Sequence, residues 1–378
     1  MLQSLHIENF RSFQEFDLEN LGKINLLVGE NNSGKTSILE AIEIFCYNGH
    51  LNIILQLMEY RGEYFWNNNQ IQGNREREYV IRHLFHGHEI NPGNQFLIRG
   101  TDNNKQEEEL IICIDSYIRE INLDLTDRED ESDNENIGTL DLIIKSNQIP
   151  LIIEPIEVHL LPNDTISQKS VPRKFKTIHS GFLTKTKRIT PLSLDITDLT
   201  QLFDNIVLSP NEQLIIEALQ IIEPKIERIA SVGKEKYSIN SRFYGESGGF
   251  VIKFSDQRHP VPIGSLGDGI WRILSIILAM VNLENGVLLV DEIDTGLHFT
   301  TLFDMWKVIL LTARKLNIQV FATTHNSDCW TSLASLIQKE EIEDNEITIQ
   351  RIERDRKKAV AFNSKQIVIA AERGIEVR

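Results

Sequence analysis

The sequence predicts an α/β fold built on a mixed central sheet, and three observations carry that expectation. An apolar run, Ile24–Val28, passes through a glycine loop into residues of helical period beginning at Lys35. A second run, Val287–Val290, ends in the adjacent acids Asp291 and Glu292, and a third, Val320–Thr324, ends at His325. Continuous apolar runs of this kind mark strands buried on both faces, and open sheets made from them bind ligands at the carboxyl ends of the strands.

The 378 residues exceed one compact module of about 150, so a chain with insertions is expected. With 41% hydrophobic residues, 25% charged and only 10 prolines, the composition is globular and excludes disordered, collagen-like and disulfide-stapled classes. A net charge of −16 excludes a surface that binds polyanions all over, so any nucleic-acid site must be local. Cys46, Cys113 and Cys329 form no CxxC pair, which leaves neither a disulfide framework nor a zinc site to read and fits a reducing cytoplasm. The N-terminus lacks the basic flank and apolar run of a signal peptide, and no apolar stretch reaches about 18 residues, so neither secretion nor membrane spanning is expected.

Along the chain, residues 1–28 read as two strands, the first carrying Leu5, Ile7, Phe10 and Phe13 and the second being Ile24–Val28. Ile38, Leu39, Ile42, Phe45 and Cys46 then recur at helical spacing. Residues 49–94 give no clear period. Gln95–Arg99, Leu110–Ile114, Leu140–Ile144 and Leu151–Ile153 read as short strands of an antiparallel sub-sheet, with the acidic run 127–136 as a solvated hairpin tip. Residues 165–194 hold Lys169, Arg173, Lys174, Lys176, Lys185, Lys187 and Arg188 without an acid, and are either a solvent-facing loop or a patch for nucleic acid or a partner. An apolar stripe through Leu199, Leu202, Phe203, Leu214, Ile215, Ala218, Leu219 and Ile222 makes 198–230 helical by period. Two short strands around SGGF and Val251–Phe254, a long apolar helix from about Ile270 to Val281 and three further strands ending near 370 complete the reading.

Gly29-Glu-Asn-Asn-Ser-Gly34-Lys35-Thr36 fits GxxxxGK[ST] between a strand and a helix. In such a loop the successive backbone N–H groups, here through Asn31, Asn32 and Ser33, surround phosphate oxygens, and the following helix adds its positive N-terminal dipole. Lys35 is placed to neutralise the β and γ phosphates, and Thr36 to offer its hydroxyl to Mg²⁺. Asp291 suits the metal's shell, while Glu292 on the other side of the strand end suits a base for the attacking water. His325 suits a contact to the γ-phosphate. The stretch between Lys35 and Asp291 is far longer than compact nucleotide kinases use, so an inserted lobe is implied.

This ordered set resembles the ABC-type ATPase heads of the SMC, RecF and OLD group. ENFRSF at 8–13, GENNSGKTS at 29–37, VLLVDEIDTGLH at 287–298 and TTH at 323–325 are similar to that group's first strand, Walker A, Walker B with D-loop, and switch histidine. The resemblance implies a head made of residues 1–100 and 231–378, with a β/helical lobe inserted at 101–230. It implies that Arg11 flanks the nucleotide, that Ser37 contacts the α-phosphate, and that Asp294 communicates across a dimer. Ser265-Leu-Gly-Asp-Gly269 with Arg272 occupies the signature position but departs from LSGGQ, Asp268 standing where a glycine is usual. Ser265, Gly267 and Gly269 are the candidate groups for a partner's γ-phosphate, the alternative being a plain helix-capping turn. For the Q-loop glutamine the candidate is Gln95. No heptad array for an SMC arm and no Toprim-like acidic cluster are present. The stretch 202–229 and the ending GIEVR look like stand-alone AAA-15/AAA-21-type ATPases of prokaryotic defence systems.

The resemblance implies a cytoplasmic ATPase that binds ATP and Mg²⁺, completes its site with a second copy, and regulates a separate effector, a nuclease. Two other readings stay open: a RecF-like DNA-repair ATPase using 165–194, and a nucleotide-gated scaffold with little turnover.

Overall fold

The computed structural model describes residues 1–68, 75–118, 138–147, 156–161, 163–170, 185–192, 194–232 and 249–377. The acidic run 127–136, the expected strand 151–153 and, from the basic stretch, Arg173, Lys174 and Lys176 lie outside the described residues. Two compact units emerge, one of Met1, Leu18–Leu39 and Thr184–Arg378, the other of Leu2–Asp17 and Glu40–Leu183.

The first unit is built on a six-stranded sheet in the order β11 (Thr186–Ile189), β15 (Val287–Val290), β16 (Gln319–Thr324), β3 (Ile24–Val28), β17 (Ile347–Arg351) and β18 (Val360–Phe362). The first five run parallel and β18 antiparallel, so the sheet is mixed as expected. Every residue of β3, β15 and β16 is buried, which explains their largely apolar character. The amide of Asn25 in β3 is satisfied. Its Oδ1 accepts from Gly22 N and Thr348 Oγ1, and its Nδ2 donates to the carbonyls of Gly22 and Val320. Helices α5 (Asp268–Val281), α6 (Leu302–Leu316) and α7 (Ser327–Lys339) pack with these strands into one apolar core, where α6 buries Leu302, Met305, Trp306, Ile309, Ala313 and Leu316 on a single face.

The stripe read as helical over 198–230 resolves into α3 (Ile196–Asp204), α4 (Glu212–Ile222) and a strand, β12 (Ile226–Val232). Pro224 is the cause. It cannot continue a helix and forces Glu223 into extended backbone, φ −135° and ψ 94°. The segment around SGGF is one strand, β13 (Gly249–Phe254), between β12 and β14 (Val261–Pro262). The C-terminal part also differs: the chain past β18 closes with a helix, α8 (Ser364–Glu372), opened by an Asn363–Gln366 capping box.

The second unit carries the expected antiparallel sheet, ordered β2 (Phe13–Leu18), β1 (Leu2–Phe10), β6 (Gln95–Asp102), β7 (Glu107–Ile118), β8 (Gly138–Ser146) and β9 (Ile156–His159). Residues 1–28 thus hold three strands rather than two, with the turn after Phe10 dividing the first run. Because β1 pairs with β6, the chain's first residues group with the later sheet and not with the phosphate loop's strand. The stretch that showed no period holds a helix, α2 (Leu51–Arg61), and two strands, β4 (Tyr64–Asn68) and β5 (Arg75–Val80), which form a three-stranded sheet with β10 (Thr165–Ser167). Among the described residues no helix is long and apolar enough to cross a membrane.

Candidate functional site

Parallel register brings the sequence-distant motifs to one sheet edge. Val28 stands opposite Thr324, Val290 opposite Ala322 and Ile189 opposite Val290, so β3, β16, β15 and β11 end at about the same level. The loop after β3 leads into α1 (Lys35–Cys46). Gly29 is required there: it sits at φ +149°, and a Cβ on it would lie 2.4 Å from the carbonyl oxygen of Ile352. Lys35 Nζ donates to the carbonyls of Gly29 and Glu30 at 2.9 and 2.7 Å. Burial lowers the Lys35 pKa, and the charges of Asp291 and Glu292 partly offset the effect. The Ser33 hydroxyl is buried without a hydrogen-bond partner among the described residues.

Asp291 is the meeting point. Its carboxylate accepts from Thr36 Oγ1 at 3.1 and 3.3 Å, and Thr323 Oγ1 donates to Oδ1 at 2.6 Å. A threonine hydroxyl beside a carboxylate, at the start of an anion-binding helix, is the hard-oxygen set that Mg²⁺ takes together with phosphate oxygens. The loop's close-packed glycine and its orphaned Ser33 hydroxyl fit a bound phosphate chain. The residues present therefore fit Mg²⁺ and a nucleotide.

Glu292 adopts φ +46°, an uncommon conformation for a residue with a Cβ. Its N–H donates to Thr323 Oγ1 at 2.8 Å, and its carbonyl accepts from Arg272 Nη2 at 3.0 Å. Arg272, 2% exposed on α5, also donates to the carbonyls of Asp291 at 2.8 Å and Thr190 at 2.5 Å. His325 Nδ1 lies 3.9 Å from Glu292 Oε1, both side chains being about half exposed. Asp294 accepts from Thr324 Oγ1 at 2.7 Å.

The signature segment forms a 3-10 turn, Ile263–Leu266, leading into α5, with Ser265, Gly267 and Asp268 exposed. The helix begins at Asp268, two residues before the expected start, so a carboxylate lies in its first turn where a partner's phosphate would have to approach. Arg11 belongs to the second unit, where its Nε and Nη1 pair with Glu40 and Glu63 at 2.6 Å each. Gln95 opens β6 of the second unit, and β15 is flanked by β16 and by β11, which carries Arg188. Of the basic stretch, Lys169 pairs with Glu76 at 2.9 Å, Lys187 lies 3.9 Å from Asp198, and Arg188 Nη2 lies 3.8 Å from Asp291 Oδ2.

Sequence reasoning missed Thr323 as a support for the acids and Arg188 as a neighbour of Asp291. It also missed Arg354, whose Nε donates to the carbonyl of Asn32 in the phosphate loop at 3.1 Å. The first sat inside the quoted TTH motif; the other two had no local signal.

An ATP/GTP phosphatase of Helicobacter pylori is 21% identical over 372 residues, which cover 90% of each protein. The RecF replication and repair protein of Clostridioides difficile is 48% identical over 46 residues, a local match to 12% of each chain. Among solved structures, an SMC head bound to the C-winged helix domain of ScpA aligns with 96% of this chain and 98% of its own at 12% identity and a TM-score of 0.48. The AAA_21 family, described as "AAA domain, putative AbiEii toxin, Type IV TA system", matches residues 24–328. That span runs from β3 through the acid pair to the start of α7 and takes in most of the chain, which therefore belongs to the AAA_21 family.

Proposed function

We propose that this protein is an ABC-type ATPase that hydrolyses ATP with Mg²⁺, closes head to tail with a second copy when ATP is bound, and thereby regulates a separate effector, a nuclease in prokaryotic defence. The observation that carries the catalytic part is the convergence of Thr36 Oγ1 on the Asp291 carboxylate with Glu292 alongside. The near full-length relative named as an ATP/GTP phosphatase supports hydrolysis, and the family's description as an AbiEii-type toxin supports a defence setting.

Thr36 and Asp291 would hold the metal, which when bound neutralises charge on the β and γ phosphates. Asn31, Asn32, Ser33 and Gly34 present backbone N–H groups to the phosphates, with Ser37 at the α-phosphate. Lys35 exchanges its loop carbonyls for phosphate oxygens, since a charge-assisted bond to an anion is stronger than one to an amide carbonyl. Glu292 takes a proton from water as its oxygen bonds to the γ-phosphorus and the bond to the β-γ bridging oxygen breaks, giving ADP and phosphate. Arg272 and Thr323 hold the Glu292 backbone for that task. His325 lies beside the acid, Asp294 is held by Thr324, and Ser265, Gly267 and Gly269 are the groups offered to a partner's nucleotide. Arg11, committed to Glu40 and Glu63, acts on the nucleotide only if that pairing yields.

The alternative reading is a RecF-like DNA-remodelling role through the basic stretch, of which Lys169, Lys187 and Arg188 each have a carboxylate nearby. The test compares ATP hydrolysis by wild type and Glu292→Gln, with and without double-stranded DNA. Glu292→Gln is expected to keep ATP binding, accumulate as a dimer and lose about 10²–10⁴-fold in turnover. Equal turnover in the two proteins removes Glu292 from the catalytic role. Stimulation by DNA with steep salt dependence transfers the support to the DNA reading.

A further inference from the structure

Arg188 was legible only as one cation of a basic stretch, yet its place in β11 sets it opposite Leu289, two residues before Asp291. Its side chain is 8% exposed, and Nη2 lies 3.8 Å from Asp291 Oδ2, the oxygen to which Thr36 also donates. Taking a guanidinium out of water is costly and is offset only where opposite charge is near. Asp291 provides that charge in this arrangement. The same carboxylate is the one assigned to Mg²⁺ above. A dication and a guanidinium drawing on a single carboxylate repel each other, more strongly as the surroundings exclude water. A further anion beside the metal relieves the conflict, and the terminal phosphate of a triphosphate is such an anion, with oxygens that match the guanidinium fork. A diphosphate, with one phosphoryl group and about one negative charge fewer, relieves it less.

We propose that Arg188 is the residue by which this site distinguishes a nucleoside triphosphate from a diphosphate, its guanidinium turning from Asp291 to the γ-phosphate when metal and triphosphate are both present. The inference rests on the reading of the site as a metal-dependent ATPase.

Equilibrium binding of ATP and of ADP, each with Mg²⁺ and each with a chelator, to wild type, Arg188→Ala, Arg188→Gln and Arg188→Lys tests it. With Mg²⁺, Arg188→Ala and Arg188→Gln are expected to reduce the preference for ATP over ADP by about tenfold or more, chiefly by weakening ATP. Arg188→Lys should recover part of the loss, having the charge without the fork. With chelator the substitutions should alter the preference little. An unchanged preference, or equal weakening of ATP and ADP, overturns the proposal. Thermal unfolding of each variant identifies any that fails to fold, and near-isosteric Arg188→Gln is then read in place of Arg188→Ala. A wild type that binds no nucleotide defeats the ATPase reading and this proposal together, whereas a wild type that hydrolyses ATP while the variants keep its preference defeats only the proposal.

Discussion

Arg272 spends its hydrogen bonds on the carbonyls of Thr190, Asp291 and Glu292, and burial brings its pKa down to about 10 despite the acids nearby. A left-handed conformation at a residue such as Glu292 costs on the order of 1–3 kcal/mol and persists only where neighbours over-determine it. Arg272 and Thr323 supply that constraint, from a helix and from the adjacent strand. His6 shows a titrating version of the same economy of charge. Burial lowers its pKa, but the hydrogen bonds it donates to Glu8 and Asp17, and their charges, together raise it above the usual value of 6.5. A raised value in the folded protein means stability that is full below the unfolded pKa and lost as pH rises through the folded one. Asp17→Asn is therefore expected to destabilise the protein more at about pH 5.5 than at about pH 8.5, as read by denaturant midpoints. A penalty independent of pH would remove the imidazolium from the interaction. At this scale the sequence makes legible those residues whose role is local. Lys35 and Thr36 are tied to one loop, whereas nothing adjacent to Arg188 in the chain announces Asp291.

Helix α2 shows why an element goes unread. Leu51, Ile54, Leu55 and Met58 keep helical spacing, but Ile53 and Leu57 are buried as well, so the apolar face covers more than half the circumference and the contrast that marks a surface helix is weak. It also lacks a side-chain cap at His50, removing the usual start signal. The opposite error came from α4, whose stripe was followed through Pro224 into a strand. The turn between α1 and α2 is tightly constrained. Gly49 sits at φ +69°, its N–H donates to the carbonyl of Ile44, and a Cβ there would lie 2.7 Å from Ile144 Cγ2 and 2.8 Å from Leu110 Cδ1. Gly49→Ala combines a strained backbone with overpacking between α1 and the sheet, and is expected to cost about 1–3 kcal/mol in chemical denaturation. A loss below about 0.5 kcal/mol, the ordinary range for a surface change, would show that the turn relaxes freely.

For the molecule as a whole, a ligand that binds only the folded state stabilises it by mass action. Mg²⁺ and ATP at about 100 times the dissociation constant are expected to add about 2.7 kcal/mol, seen as a higher Tm, and Lys35→Ala should lose most of that rise. A Tm that stays level for wild type would contradict nucleotide binding at this site. By itself the sequence determined the α/β class, the phosphate loop, the acid pair and the antiparallel sub-sheet, because each is written in contiguous residues with a fixed period or spacing. Tertiary structure alone decided that β1 joins the later antiparallel sheet, that β11 lies against β15, and that Arg188 and Arg272 meet the acids. Strand order and register bring those partners together across long stretches of chain, and a one-dimensional pattern holds no record of which distant strand will supply the neighbour.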